Sequence, residues 1–139
     1  MDLLSSMRIS ATGLAAQSTR MNTISSNIAN AETPGYKRKD PVLQAETDRQ
    51  HFGEILKNRM EEEAQGVLVK EIAEDEREAR LVLDPNNRRA RADGYVEMPN
   101  VNVMEETANM VTASRAYEAN ITAINAAKAM ALKALDIGK

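Results

Sequence analysis

Apolar side chains recur along residues 3–30 in a rhythm that a helix gathers onto one face. Met7, Leu14, Met21 and Ile28 fall seven residues apart, and Leu3, Leu4, Ala11 and Ile24 fill in at spacings of three or four. This is the seam of a helix that packs against another helix. Gly13 lowers helix propensity by about 1 kcal/mol relative to Ala, so the helix needs a partner to persist. Thr33-Pro34-Gly35-Tyr36 ends it, because Pro34 disfavours helix at Thr33 and Pro-Gly suits the centre of a type II turn.

The C-terminal pattern is stronger. Neither Pro nor Gly occurs from Val103 to Ile137. Val103, Met110, Tyr117, Ile124 and Ala131 repeat every seven residues, with Ser114, Ile121 and Leu135 at positions four further on in the same repeat. Asn102 suits the N-cap with Glu105 three residues on, Glu106 favours the N-terminal end of the dipole, Lys133 favours the C-terminal end, and Gly138 suits the C-terminal cap. The ten alanines between Ala108 and Ala134 allow close helix approach. Thirty-five residues at 1.5 Å each make about 52 Å of helix, whereas a compact domain of this chain length has a radius of gyration of about 14 Å. Such a helix projects or lies along something long.

Between the helices the pattern shortens. Residues 46–64 read as a short helix presenting Phe52, Ile55, Leu56 and Met60, weakened by Gly53. Gly66 opens a strand over Val67–Ile72, and Ala79–Asp84 alternates as a second strand that stops at Asp84-Pro85-Asn86. Residues 74–78 form a solvated turn, and Asn86 to Gly94 a loop. The fold class is therefore mainly α, with long N- and C-terminal helices pairing as a coiled coil around a small charged middle module containing short β-strands. The expected divisions are 1–33, an N-terminal assembly helix; 34–99, an outward-facing middle; and 100–139, a C-terminal assembly helix.

Composition narrows the function. Aromatics make up only 3% of the 139 residues, too few for a bulky core. The net charge of −3 argues against a general electrostatic nucleic-acid binder. Cysteine is absent and His51 is the single histidine, which excludes disulfides, thiol nucleophiles and any site needing two histidines. Charge is unevenly spread: residues 1–36 hold four of the 39 charged side chains, residues 37–97 hold 27, and residues 98–139 hold eight. Weakly charged arms at both ends are surfaces that meet other protein. No apolar run is long enough to cross a bilayer, and no cleavable secretory signal pattern opens the chain.

Candidate chemistry reduces to surface features. Lys37-Arg38-Lys39 reads as a solvated or interface salt-bridging run, and Arg88, Arg89 and Arg91 as partners for a neighbour's carboxylates. Glu61-Glu62-Glu63 reads as an exposed helical face rather than a metal site. The carboxylates of residues 71–78 have no cleft to shift their pKa values, and His51 reads as a half-buried helix residue. Phosphate loops, nucleophile elbows and HExxH are all missing, so no enzyme, cofactor or metal is expected. Asn27 and Asn30 are poor helix-interior residues: either they mark a fraying end or they hydrogen-bond across subunits. The low-charge outer faces favour an assembly subunit with heterologous contacts over the alternative, a cytoplasmic coiled-coil adaptor.

Two segments carry a family resemblance. Ser26-Asn27-Ile28-Ala29-Asn30-Ala31-Glu32-Thr33-Pro34-Gly35-Tyr36 resembles the N-terminal signature of bacterial flagellar rod and hook proteins. Gly94 to Glu106, with its Met-Pro-Asn-Val-Asn-Val run, and Ala113 to Asn120 resemble the C-terminal signature, most closely that of the proximal-rod members. Membership of the flagellar basal-body rod family implies an axial structural subunit in the periplasm, exported by the flagellar export apparatus without a cleaved signal. It implies terminal helices that pack with other copies and other rod proteins into a hollow, torque-transmitting shaft, and a middle region that meets neighbours or surrounding rings. Nucleic-acid binding and membrane insertion are not implied. Within that scheme Met7, Leu14, Met21, Ile24, Ile28, Val103, Met110, Tyr117, Ile121, Ile124 and Leu135 are the candidate interface residues.

Overall fold

The computed structural model describes residues 3–45 and 66–137; the expected helix over 46–64 and the Gly138 cap lie outside them. Helix α1 runs Leu3–Ala29, followed by strands β1 (Lys39–Ala45), β2 (Val67–Glu74), β3 (Arg80–Leu83) and β4 (Tyr95–Met98), and then by helix α2, Val103–Ile137. Both helices start and stop within a residue of where their apolar rhythm and end signals put them. Asn102 caps α2 through its Oδ1, which accepts from the backbone N–H groups of Met104 at 3.1 Å and Glu105 at 3.4 Å. At the other helix, Tyr36 N–H bonds to Thr33 C=O at 3.1 Å and Gly35 has φ of 79°. That is the type II turn that Pro-Gly promised.

The helices pack antiparallel. Asn27 near the end of α1 bonds to Glu106 near the start of α2, and Gly13 faces Asn120. The two contacts lie fourteen residues apart on each helix, in opposite chain directions. By this register Leu3 comes level with Met130, so the last turns of α2 run past the start of α1.

The middle contains two separate antiparallel ribbons among the described residues, β1–β2 and β3–β4. The strand expected from Val67 is β2 and the strand expected around Leu81 is β3, and each pairs with a strand that alternation does not reveal. β1 contains Pro41 beside a charged run, features that ordinarily argue against a strand. A ribbon tolerates the proline because each of its strands has a free edge. The register shifts between Val42 and Leu43. β4 is only four residues long. Ribbon β1–β2 lies on α1, where Val67 N–H bonds to Thr12 Oγ1 at 3.0 Å.

Inside this frame the buried apolar side chains are few and mostly small: Ala16, Ile24, Ala31, Val96, Ala113 and Ala127. Fully or nearly fully buried beside them are Asn27 and Glu106. A polar group at such depth costs free energy unless it is hydrogen-bonded, and both are.

Candidate functional site

Asn27 uses its entire hydrogen-bonding capacity. Its Nδ2 donates to Lys39 C=O at 2.8 Å and to Glu106 Oε2 at 3.0 Å. Its Oδ1 accepts from Lys39 N–H at 2.9 Å and from Tyr36 O–H at 2.9 Å. A carboxamide carries two donors and two acceptor lone pairs in one plane, so it reads both backbone groups of Lys39 as a neighbouring strand would, with a donor left for Glu106. Neither expectation for Asn27 holds: it is not frayed, and its bonds are spent within the chain rather than across subunits. Asn30 serves a local role, donating from Nδ2 to Ser26 C=O at 2.8 Å and accepting from Thr33 at 3.3 Å.

Glu106, expected to favour the N-terminal end of the helix dipole, is 1% exposed. Its second oxygen accepts from Arg38 Nε at 2.8 Å. Arg38 is the middle residue of the basic run Lys37-Arg38-Lys39, expected to be solvated or to bridge an interface. It sits largely covered, with Asp40 at 3.4 Å and Asp75 at 3.7 Å from Nη1. Burial alone would lower the Arg38 pKa; the bond to Glu106 and the surrounding carboxylate charge more than offset that, leaving it raised. Asp75 closes the group, donating its own N–H to Arg38 C=O at 2.7 Å. Its carboxyl is lowered to about 2, first by hydrogen bonds from the Arg77 side chain and backbone.

Residues 27, 38, 75 and 106 thus bring α1, β1, the end of β2 and α2 to one polar junction. Two arginines of the basic loop make contacts within the chain: Arg89 donates to Pro34 C=O at 2.6 Å, and Arg91 pairs with Glu97. All three arginines of the loop, Arg88 included, remain exposed.

Away from the junction the seam is lined by small residues. A Cβ on Gly13 would come 3.1 Å from the Asn120 amide, which itself donates to Ala116 C=O at 3.1 Å. Gly13 is therefore a point of close approach between the helices, not only a weak helix residue. Of the eleven candidate interface residues, Ile24 is buried, and Met7, Leu14, Met21, Ile28, Met110, Tyr117 and Ile124 are half-buried in the single chain. Val103, Ile121 and Leu135 are 45%, 38% and 70% exposed. The inward row that accompanies Met110, Tyr117 and Ile124 is Glu106, Ala113, Asn120 and Ala127, three positions on from the Val103 series rather than four. Small and polar side chains form that row, so a search for large apolar residues passes over it. Val111, Met130 and Leu132 also stay exposed.

Among the described residues no cluster of three or more His, Asp or Glu is placed to hold a metal ion, and no described helix is long and apolar enough to cross a membrane.

Two long helices from the chain ends, small-residue packing between them and apolar side chains left on their outer faces define a structural protein. Two family models match it at those ends: the flagella basal body rod protein over residues 7–37, and the flagellar basal body rod FlgEFG protein C-terminal region over residues 92–137. The chain is 41% identical to the flagellar basal-body rod protein FlgC of Bacillus subtilis over 147 residues, covering 96% of this chain and 97% of that one. It is 38% identical to the FlgC proteins of Salmonella typhimurium and Borreliella burgdorferi, over 100% of both chains in the first case and 99% and 98% in the second. The chain belongs to the FlgC family of flagellar basal-body rod proteins.

Proposed function

We propose that the chain is a structural subunit of the proximal rod of the bacterial flagellum and does no enzymatic work. It polymerises through its terminal helices, paired as a coiled coil, into the hollow shaft that transmits torque. Its neighbours are other copies and other rod proteins, with the middle region turned toward them or toward the surrounding rings. It reaches the periplasm through the flagellar export apparatus with no cleaved signal.

The observation that carries the assembly step is the exposure of apolar side chains around α2. Val103, Met104, Val111, Ile121, Met130, Leu132 and Leu135 are all left in water by the single chain. Burying one Leu- or Ile-sized side chain contributes roughly 1.5–3 kcal/mol, so several such contacts per neighbour hold a shaft together. Each contact of a helical assembly is heterologous, so the outer faces of both helices are used.

The test replaces Ile121 and Leu135 with Ser in the full chain, expressed in cells lacking their own copy. Both side chains already face solvent, so the purified variant should keep its stability to within about 0.5 kcal/mol. Its incorporation into isolated basal bodies, and swimming, should be lost. Normal incorporation would rule out α2 as an assembly surface.

A further inference from the structure

The helix seam has a weakness that its sequence makes plain. Met7, Leu14, Met21 and Ile28 on α1 repeat every seven residues, as do Met110, Tyr117 and Ile124 on α2, and alanines fill the spaces between. Sliding one helix past the other by seven residues would return similar side chains to similar places. Apolar burial is non-directional, so it discriminates poorly between those alignments.

We infer that two contacts, the polar one of Asn27 with Glu106 and the steric one of Gly13 with Asn120, are register pins that hold the antiparallel helices against sliding. In a slid alignment Glu106 would leave both the Asn27 donor and Arg38, which the bonds from Asn27 to Lys39 keep beside α1, and the Asn27 amide would be left with one buried hydrogen unmet. Buried polar groups fix register in this way because every other alignment strands them. The second pin acts by shape: where it stands, Asn120 would have to give way to a Cβ only 3.1 Å from its amide, and Gly13 is the one glycine in α1. The pins stand two heptads apart. A shift of one heptad therefore sets Asn120 against a residue that carries a side chain, and takes Glu106 away from Asn27, at the same time. Arg38 and Asp75 tie the first pin to ribbon β1–β2, so the register of the helices also fixes where the ribbon sits. The value of this device in a shaft under torque rests on the function proposed above, but the pins are read in the free chain.

The test is a distance measurement by pulsed electron paramagnetic resonance on the full chain. It contains no native cysteine, so Asn22→Cys and Asn125→Cys, both at exposed positions, carry the only labels. These sites are offset along the helix axis, and a one-heptad slide changes their separation by up to about 10 Å. The expected result is one narrow distance for the labelled parent. With Asn27→Leu, Arg38→Met and Glu106→Leu together, helicity should persist while a second population appears, displaced by about 10 Å. Asn120→Ala added to those three removes the second pin as well and should enlarge the displaced population. A single unchanged distance in the chain carrying all four substitutions, or several distances in the parent, would overturn the inference. Either result is separate from incorporation into basal bodies.

Discussion

The two ends of the helix pair hold together by different physics. At the junction end Asn27, Arg38 and Glu106 are buried and bonded to one another or to the backbone of Lys39. At the distal end Ala16, Gly13 and Ala127 bring the backbones close, and the large apolar residues Met130, Leu132 and Leu135 stay exposed. Directional bonds between residues far apart in sequence are all-or-none, whereas contacts among small side chains are individually weak. The difference teaches that one end is complete within a single chain, whereas the other leaves apolar surface open, as the proposed assembly requires.

The sharpest way to break the contrast is Glu106→Ala. It leaves Arg38 and an Asn27 hydrogen without their buried partner, a type of loss that costs about 3–5 kcal/mol, to be read by chemical denaturation of the full chain. Asn27→Ala removes four hydrogen bonds and strands Lys39, and should cost about 2–3 kcal/mol by the same measurement. Combined, the two should cost less than their sum, because they break one network.

At the distal end effects should be smaller. Gly13→Ala gains up to about 1 kcal/mol of helix propensity but crowds Asn120, and overpacking costs about 1–3 kcal/mol. A net loss near 1 kcal/mol is expected, recovered when Asn120→Ala is added. Smallest is the acid response of Asp75. Its carboxyl is held to about 2 in the fold, below its ordinary value, so the stabilisation is complete above about pH 4 and fades as the pH falls toward 2. Asp75→Asn should flatten that part of a stability-against-pH curve, and high salt should shrink the difference because Arg77 is exposed.

The helices were legible because their signals agree: an apolar rhythm, a cap at Asn102, a stop at Pro34-Gly35. β1 was hidden by Pro41 and the adjoining charges, and β4 by its four-residue length. The junction escaped for a different reason. Helix propensity and dipole concern a lone helix, and neither reflects that Asn27 and Glu106 each lie on the inward face of a seam. A polar residue in phase with an apolar stripe on both partner helices was the available signal. Its partner Arg38 gave none, since nothing local distinguishes it from Lys37 and Lys39. The exposed apolar residues Ile121 and Leu135, by contrast, were visible as soon as the heptads were counted.

Residue-resolved amide hydrogen exchange on the dilute full chain tests the contrast most directly. Slowest exchange is expected at residues 23–30, at Lys39 and across the first two turns of α2 from Glu106 onward, with protection falling steadily toward Leu3 on α1 and Ile137 on α2. Uniform protection along both helices, or protection greatest at the distal end, would contradict a chain completed at one end by its own polar junction and at the other by its neighbours.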